Sequence, residues 1–195
     1  MSYKDLVELV RDYKLKNQSN YYDKLLCEDF IRFVFKNGDS SFDKNNLTGH
    51  VTAGGIVVCE NFVLLNHHKK LNLWIGFGGH AEVGETDPFL LACREVFEET
   101  GLEGLKSNGK ILDIEKFTFK HGTEPAHTHY DVRYLIVAKN KNAVLNTNES
   151  QEFKWLTIDH AIAFSQDYAT KKILGKYKRL YETKHKNTPI VELVK

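Results

Sequence analysis

The chain has 195 residues and a formal net charge of +1, and 42% of its residues are hydrophobic. This length and composition predict a globular domain with an ample buried core, and the near-zero charge excludes attraction to nucleic acid or anionic membranes through net charge. The odd number of cysteines (Cys27, Cys59 and Cys93) and the lack of a CxxC spacing argue against disulfides and structural zinc, and favour a reduced, cytoplasmic location. No segment is apolar for long enough to predict a membrane span, so no membrane partner is expected.

The first part of the chain predicts a helical extension over residues 1–45, ahead of a main domain over residues 46–195. Apolar side chains recur at helical spacing from Leu6 to Tyr13 and again from Tyr22 to Phe35, with a polar break at Asn17–Asn20. Residues 37–49 are rich in Asn, Asp, Ser and Gly and predict a loop. We expect the extension to pack on the main domain. The alternative is that it serves as a dimerisation arm, which would make the protein a homodimer.

The main domain predicts strands mixed with helices. Strand composition occurs in six segments: Val51–Val58 and Asn61–Asn66, which form a hairpin, Leu71–Phe77, Ile111–Lys120, His129–Ala138 and Glu152–Leu156. Helices are predicted at Ile158–Phe164 and Thr170–Lys184. Burial is expected for Trp155 and for one face of the fifth strand segment, namely Val132, Tyr134, Ile136 and Ala138. The fold class is therefore α/β, of the α+β kind, with a sandwich architecture.

One predicted helix carries an unusual concentration of carboxylates. Thr86-Asp87-Pro88 provides a helix start, and Gly101 provides the stop. Glu95, Glu98 and Glu99 lie at i, i+3 and i+4 and are expected to share one face. Such like charges repel unless a cation binds them, and Mg²⁺ and Mn²⁺ prefer carboxylate oxygens. The opposite face is expected to be apolar, through Phe89, Leu90, Cys93, Val96 and Phe97.

The residues upstream of this helix complete a known pattern. Gly78–Glu85 predicts a glycine-rich loop that leads into the helix, and Gly79, Glu85 and Arg94–Leu102 together resemble the Nudix box of the Nudix hydrolases. The resemblance implies the family's α/β/α sandwich with a mixed sheet, and a divalent-metal-dependent pyrophosphohydrolase. The stretch between Glu85 and Arg94 is one residue longer than in the usual box. We place the extra residue in the Glu85–Pro88 turn, because an insertion within the helix would rotate the glutamates off their face.

The proposed metal site uses oxygen ligands and Mg²⁺ or Mn²⁺ as the cofactor. We assign Glu95 and Glu99 as the principal ligands, and the resemblance implies the backbone carbonyl of Gly79 as a further one. Glu98 binds a second metal or acts as the general base. The competing interpretation of this helix is a solvated acidic face without a metal.

The resemblance also implies supporting roles in catalysis. Arg94 is expected to orient a carboxylate rather than to touch phosphate. Glu85 is expected to support Arg94 and the loop, a task that Glu82 or Asp87 can share. The expected catalytic set is therefore Glu98, Arg94 and Glu85.

Candidate substrate-binding residues lie outside the box. His67 begins a His-His-Lys-Lys patch that predicts either a phosphate-facing surface or a solvated turn. His129, Tyr130 and Arg133 lie on a strand, where they either contact a base or ribose or provide ordinary strand polarity. Zinc is not expected there, because no third ligand has suitable spacing. A later carboxylate can also join the site, and the candidates are Glu149 and Glu152.

The favoured function is hydrolysis of the diphosphate bond in a nucleoside diphosphate linked to another moiety. The alternative is a non-catalytic Nudix-fold module that binds and senses a nucleotide for a partner. ADP-ribose, dinucleoside polyphosphates, oxidised nucleotides, CoA derivatives and capped RNA ends all remain open as ligands. No nucleic-acid partner is expected, with a capped or 5′-phosphorylated RNA end as the exception that stays open.

Overall fold

The computed structural model describes residues 1–17, 20–120, 125–145 and 150–184. The N-terminal extension is helical, as predicted, with α1 at Tyr3–Lys16 and α2 at Tyr21–Asn37. The predicted loop that follows is wrong in part, because Gly38–Phe42 forms a 3-10 helix in which Phe42 is buried. An aromatic side chain within a polar stretch therefore anchors this segment to the core.

The predicted strands of the main domain are confirmed, with shifted ends. They are β1 (His50–Cys59), β2 (Phe62–His68), β3 (Leu73–Ile75), β4 (Phe77–His80), β5 (Ile111–Phe119), β6 (His127–Val137) and β7 (Ser150–Thr157). The helices are α3 (Pro88–Thr100), α4 (Ile158–Phe164) and α5 (Tyr168–Lys184). The prediction of one strand over Leu71–Phe77 is wrong, because two short strands occur and the second runs on through the glycines to His80.

The seven strands form one mixed sheet. Its order is β3-β2-β1-β6-β5, with β4 paired to β1 and β7 paired to β2. β1 and β6 are parallel, and the β1–β2 hairpin and the other pairs are antiparallel. One edge of β1 therefore pairs with β6, while the other edge pairs with β4 at its first half and with β2 at its end.

Helices cover both faces of this sheet, as an α/β/α sandwich requires. On one face α1, α2 and α3 contribute core residues such as Leu6, Phe30 and Val96. On the other face α4 and α5 contribute Ala161 and Leu174. The first core also contains the predicted face of β6, namely Val132, Tyr134, Ile136 and Ala138. Because the N-terminal helices share this core, the extension is packed on the main domain, while the boundary at residue 45 stays a prediction.

A buried charged network at the edge strand β5 joins the two helical layers. Asp113 of β5 is fully buried and accepts hydrogen bonds from the Tyr13 hydroxyl (2.9 Å) and the Lys176 ammonium (2.6 Å). The same two groups donate to Asp23 of α2, at 3.1 and 2.7 Å. We call Tyr13, Asp23, Asp113 and Lys176 the Asp113 network. It connects α1, α2, β5 and α5 through hydrogen bonds between charged groups.

Trp155 is only partly buried, and its indole N–H donates to the Lys141 carbonyl, so the prediction of its burial is wrong. Within the described residues, no helix has both the length and the apolarity needed to cross a membrane.

Candidate active site

The carboxylate-rich helix α3 begins and ends where its sequence predicts. The Asp87 side chain accepts hydrogen bonds from the backbone N–H groups of Phe89 and Leu90, and Pro88 is the first helical residue. Gly101 ends the helix with φ at 64°, in the left-handed region that favours glycine. Residues 81–87 form the connection from β4, and the helix then runs without interruption. An additional residue in this connection does not disturb the spacing of the glutamates.

The predicted division of α3 into an apolar face and an opposite acidic face is wrong in part, although Val96 is buried and Phe89 packs against the core as expected. Leu91, Ala92 and Val96 are buried, whereas Leu90 and Phe97 are exposed. Two of the glutamates, Glu95 and Glu99, border the buried stripe, because Glu95 lies at i+4 from Leu91 and Glu99 lies at i+3 from Val96. Glu99 is only 3% exposed. The side chain of Glu98 lies on the solvent side and is half exposed.

Both inward-facing carboxylates approach the backbone of β4. The backbone N–H of Gly78 donates to Glu99 Oε1 at 3.1 Å. A Cβ atom added to Gly79 would lie 2.5 Å from Glu95 Oε1, so only a glycine leaves room for that carboxylate. Glu95 and Glu99 are therefore held against consecutive glycines, beside the carbonyl groups of an extended strand.

Arg94 binds the carboxylates together. Its guanidinium donates to Glu85 (2.9 Å), Glu95 (3.0 Å) and Glu98 (2.9 Å), and also to the backbone carbonyl of His80 (2.9 Å). Burial lowers the pKa of Arg94, but the hydrogen bond to Glu85 and the charges of Glu95 and Glu85 outweigh it and raise the pKa above its usual range. A permanent positive charge thus offsets the repulsion among the acidic groups.

The residues before the helix divide their tasks. Glu85 accepts from Arg94 and from the backbone N–H of Glu82 (3.1 Å), so it ties the loop to the helix. Asp87 acts as the helix cap, and Glu82 contributes a backbone donor. In the described contacts, support of Arg94 falls to Glu85 and is not shared with either of the other two carboxylates.

Arg133 is the predicted substrate-binding residue that lines a cavity. A cavity of about 500 Å³ lies on the α4/α5 face of the sheet, lined by Gly76, Lys116, Asp131 and Arg133 among others. Arg133 Nη1 donates to the Phe77 carbonyl at 2.9 Å, and its Nε donates to Asp131. The guanidinium is therefore held next to β4, the strand that the glutamates approach from the opposite face.

The other predicted substrate-binding residues lie elsewhere. Tyr130 points to the opposite face of the sheet, where it stacks against Phe30 and Phe33 at 4.9 and 4.5 Å between ring centroids. His67 stacks on Trp74 at 5.0 Å. These placements favour packing roles for both residues.

The two later carboxylates give no further ligand among the described contacts. Glu149 lies outside the described residues. Glu152 is exposed and forms an ion pair with Lys154 at 3.3 Å.

His129 belongs to a cluster that the sequence did not predict, and the expectation that no third metal ligand accompanies this strand is wrong, because ligand atoms of His50, His80 and His129 lie within 4.8 Å of one another. Its ring lies 4.5 Å from that of His50, 5.0 Å from that of His80 and 4.9 Å from that of His127. The paired histidines of β6 were visible in the sequence, but the other two come from β1 and β4. Only the strand register brings them together, and spacing along the chain carries no signal for it.

Comparisons with known proteins agree with this architecture. Residues 48–177 match the family model described as the NUDIX domain. A NUDIX-family hydrolase from Clostridium perfringens is 24% identical, with a TM-score of 0.52 over 69% of this chain and 97% of that one. An Ap4A hydrolase from C. elegans, solved as a binary complex, is 19% identical, with a TM-score of 0.51 over 68% of this chain and 98% of that one.

A further structural relative has a bound nucleotide derivative. The NUDIX domain of Shewanella oneidensis NrtR, complexed with ADP ribose, is 12% identical, with a TM-score of 0.51 over 67% of this chain and 86% of that one. No curated protein sequence matches the chain significantly. At these identities the structural likenesses establish the fold alone.

Proposed function

The chain belongs to the NUDIX domain family and is a Nudix hydrolase. We propose that it cleaves the diphosphate bond of a nucleoside diphosphate linked to another moiety, and that it uses Mg²⁺ or Mn²⁺. The observation that carries this proposal is the approach of Glu95 and Glu99 to the glycines of β4. A helix that served only as a solvated acidic face would not bury a carboxylate as deeply as Glu99.

The donor set fits a hard divalent cation. Glu95, Glu99 and the backbone carbonyl of Gly79 offer oxygen ligands only, which is the set that Mg²⁺ and Mn²⁺ prefer. The glycine at position 79 also leaves the space in which the Glu95 carboxylate lies. When bound, the cation would neutralise phosphate charge and acidify a water molecule.

Of the remaining groups of the site, one accepts a proton and the others hold the glutamates in position. Glu98 is half exposed and held by Arg94, so its carboxylate is accessible to a water molecule beside the substrate. We assign it as the general base that accepts the proton of the attacking water. Arg94 and Glu85 act as positioning residues, because their hydrogen bonds join the glutamates to the loop.

We place the nucleoside part of the substrate in the cavity next to Arg133. Its volume of about 500 Å³ lies in the usual range for small-molecule sites. Arg133 places its guanidinium on the lining of this cavity, next to β4, where it can meet an anionic ligand. A small nucleotide derivative, such as ADP-ribose or a dinucleoside polyphosphate, is therefore favoured over a long nucleic acid. A capped RNA end is included in the activity test to check this preference.

We also retain a reduced, cytoplasmic location as a proposal. Cys27, Cys59 and Cys93 are free thiols, and the first two are buried. An oxidising compartment does not favour buried free thiols.

The test is metal-dependent hydrolysis of ADP-ribose, Ap4A, a CoA derivative and a capped RNA, with identification of the products. The variants are Glu98→Gln and Glu99→Gln, and Glu103→Gln is the control because Glu103 is exposed beyond the helix. Glutamine at position 99 still accepts from the Gly78 N–H, so the fold is preserved while the charge is lost.

We expect Glu98→Gln to lower kcat by roughly 10²–10⁴-fold, the range for a general base. Glu99→Gln should raise the Mg²⁺ concentration at half-maximal activity by at least about tenfold. The control should match the wild type. Full activity in both site variants would refute the assignment, whereas tight ligand binding without turnover would favour the sensing module.

A further inference from the structure

Four histidines meet at one corner of the sheet, on the face opposite to the glutamates. His50 begins β1, His80 ends β4, and His127 and His129 begin β6. His50 is the register partner of His129, and Thr52, two residues along the same face of β1, is the partner of His80. The four rings lie between 4.5 and 5.0 Å from their neighbours in the cluster. We call this group the histidine cluster.

His50 is the least explained member of the cluster. It is 1% exposed, and among the described residues its ring nitrogens make no hydrogen bond of full geometry, although the backbone of Asn46 lies close to the ring. A neutral imidazole has one donor and one acceptor, and leaving both unmet inside a protein costs free energy. If this position served only for packing, an apolar ring would avoid that cost. An unpaired imidazole of this kind instead suggests a ligand that is bound there.

The ring nitrogens converge on a common point. One ligand atom from each of His50, His80 and His129 lies within 4.8 Å of the other two. In a tetrahedral zinc site with Zn–N distances of about 2.0–2.1 Å, neighbouring nitrogens are about 3.4 Å apart. Rotation of the imidazole side chains can bring the three nitrogens, now within 4.8 Å of one another, to this separation without movement of the strands.

His127 is oriented as a metal ligand requires. Its Nδ1 lies 3.0 Å from the Pro125 carbonyl oxygen, which can only accept, so this nitrogen carries the proton in the neutral ring. Its Nε2 therefore carries a lone pair, which accepts the hydrogen bond of His129 Nε2–H at 2.9 Å and which a bound metal ion would take instead. A carbonyl that holds the remote N–H of a histidine is the usual support behind a metal-bound imidazole.

We propose that His50, His80 and His129 bind one divalent transition-metal ion that prefers imidazole, with Zn²⁺ as the leading candidate and His127 as the fourth ligand. This site is separate from the glutamate site in both ligand type and position. Gly79 faces α3, whereas the next residue of the extended strand, His80, faces the other way. The bound ion would fix β1, β4 and β6 at the end of β4 from which the glycine-rich connection leaves.

The test uses full-length protein without a polyhistidine tag, stripped of metal and titrated with Co²⁺ and then with Zn²⁺. Tetrahedral nitrogen ligation gives Co²⁺ visible absorption bands, so binding is read without an activity assay. The variants are His50→Phe, which fills the buried position, and His80→Gln, which is exposed and should fold normally. His160→Gln is the control, because His160 is an exposed residue of α4.

We expect one equivalent of Co²⁺ with tetrahedral absorption bands, displaced by Zn²⁺, in the wild type and in His160→Gln. In both cluster variants, the Co²⁺ that gives these bands should bind roughly 10–100-fold more weakly, the range for damage to a metal site. Glu99→Gln should keep the bands and their Co²⁺ affinity, which separates this site from the proposed catalytic one. No equimolar Co²⁺ with these bands in the wild type, or bands lost in Glu99→Gln but kept in His80→Gln, would overturn the proposal.

Discussion

Replacement of Lys176 by methionine should destabilise the protein strongly, because it removes the cation from the Asp113 network. The Lys176 side chain is 12% exposed and lies 2.6 Å from Asp113 and 2.7 Å from Asp23, both of which are buried. Methionine matches the aliphatic length of lysine but offers no donor. The substitution therefore leaves two buried carboxylates with less positive charge and fewer hydrogen bonds.

The size of the effect follows from what remains in the network. Removing one partner of a buried ion pair usually costs about 3–5 kcal/mol. Lys172 stays 3.4 Å from Asp113 and 3.6 Å from Asp23, so part of the charge is still compensated. We therefore expect a loss near the lower limit, about 3 kcal/mol. For a chain of this size, that loss lowers Tm by roughly 6–12 °C.

Urea unfolding and thermal melts of Lys176→Met should be compared with those of Lys178→Met. Lys178 lies two residues away on the same helix and pairs with the exposed Asp159 at 2.6 Å. Because exposed pairs contribute about 0–1 kcal/mol, the control should lower Tm little. Equal stability of the two variants would refute the view that the network joins the N-terminal helices to the domain.

Three other predictions concern the site and its surroundings. Arg94→Lys should lower kcat by roughly 10–100-fold, because an ammonium cannot match the planar donors that join the carboxylates. Steady-state kinetics over a range of Mg²⁺ concentrations measure this, and an unchanged kcat at saturating Mg²⁺ would show that the positive charge alone is enough. Gly79→Ala should keep its Tm but weaken Mg²⁺ activation, because the new Cβ displaces the flexible end of Glu95. The control is Gly175→Ala, which should leave Mg²⁺ activation unchanged because its added Cβ has its nearest neighbour at 3.7 Å. Burial raises the pKa of Asp23, but the Lys176 hydrogen bond and charge outweigh it and leave the pKa below 3.8. The fold thus favours the charged form, and stability from this group should fall as pH drops below 3.8 through the folded pKa in wild type but not in Asp23→Asn, as read by urea unfolding.

The course of α3 shows how far local sequence signals extend. Asp87-Pro88 and Gly101 define its ends through hydrogen bonds and backbone angles that lie within the segment itself, and both were predictable. The buried face was not, because Leu90 and Phe97 are as apolar as the residues that the sheet selects. Which apolar side chains become buried depends on how the helix rests on the sheet, and the approach of Glu99 to Gly78 helps to set that orientation.

The short strand β4 explains why the remaining part of the site was hidden in the sequence. Its glycines predicted a loop, yet pairing with β1 keeps Phe77–His80 extended, so successive residues face opposite sides of the sheet. Gly79 thereby admits the Glu95 carboxylate on one side, and His80 joins the histidine cluster on the other. A shift of the register by one residue would exchange the two faces and remove both arrangements at once. The pairing of β4 with β1, which no local motif encodes, is therefore the structural requirement that the two proposed metal sites share.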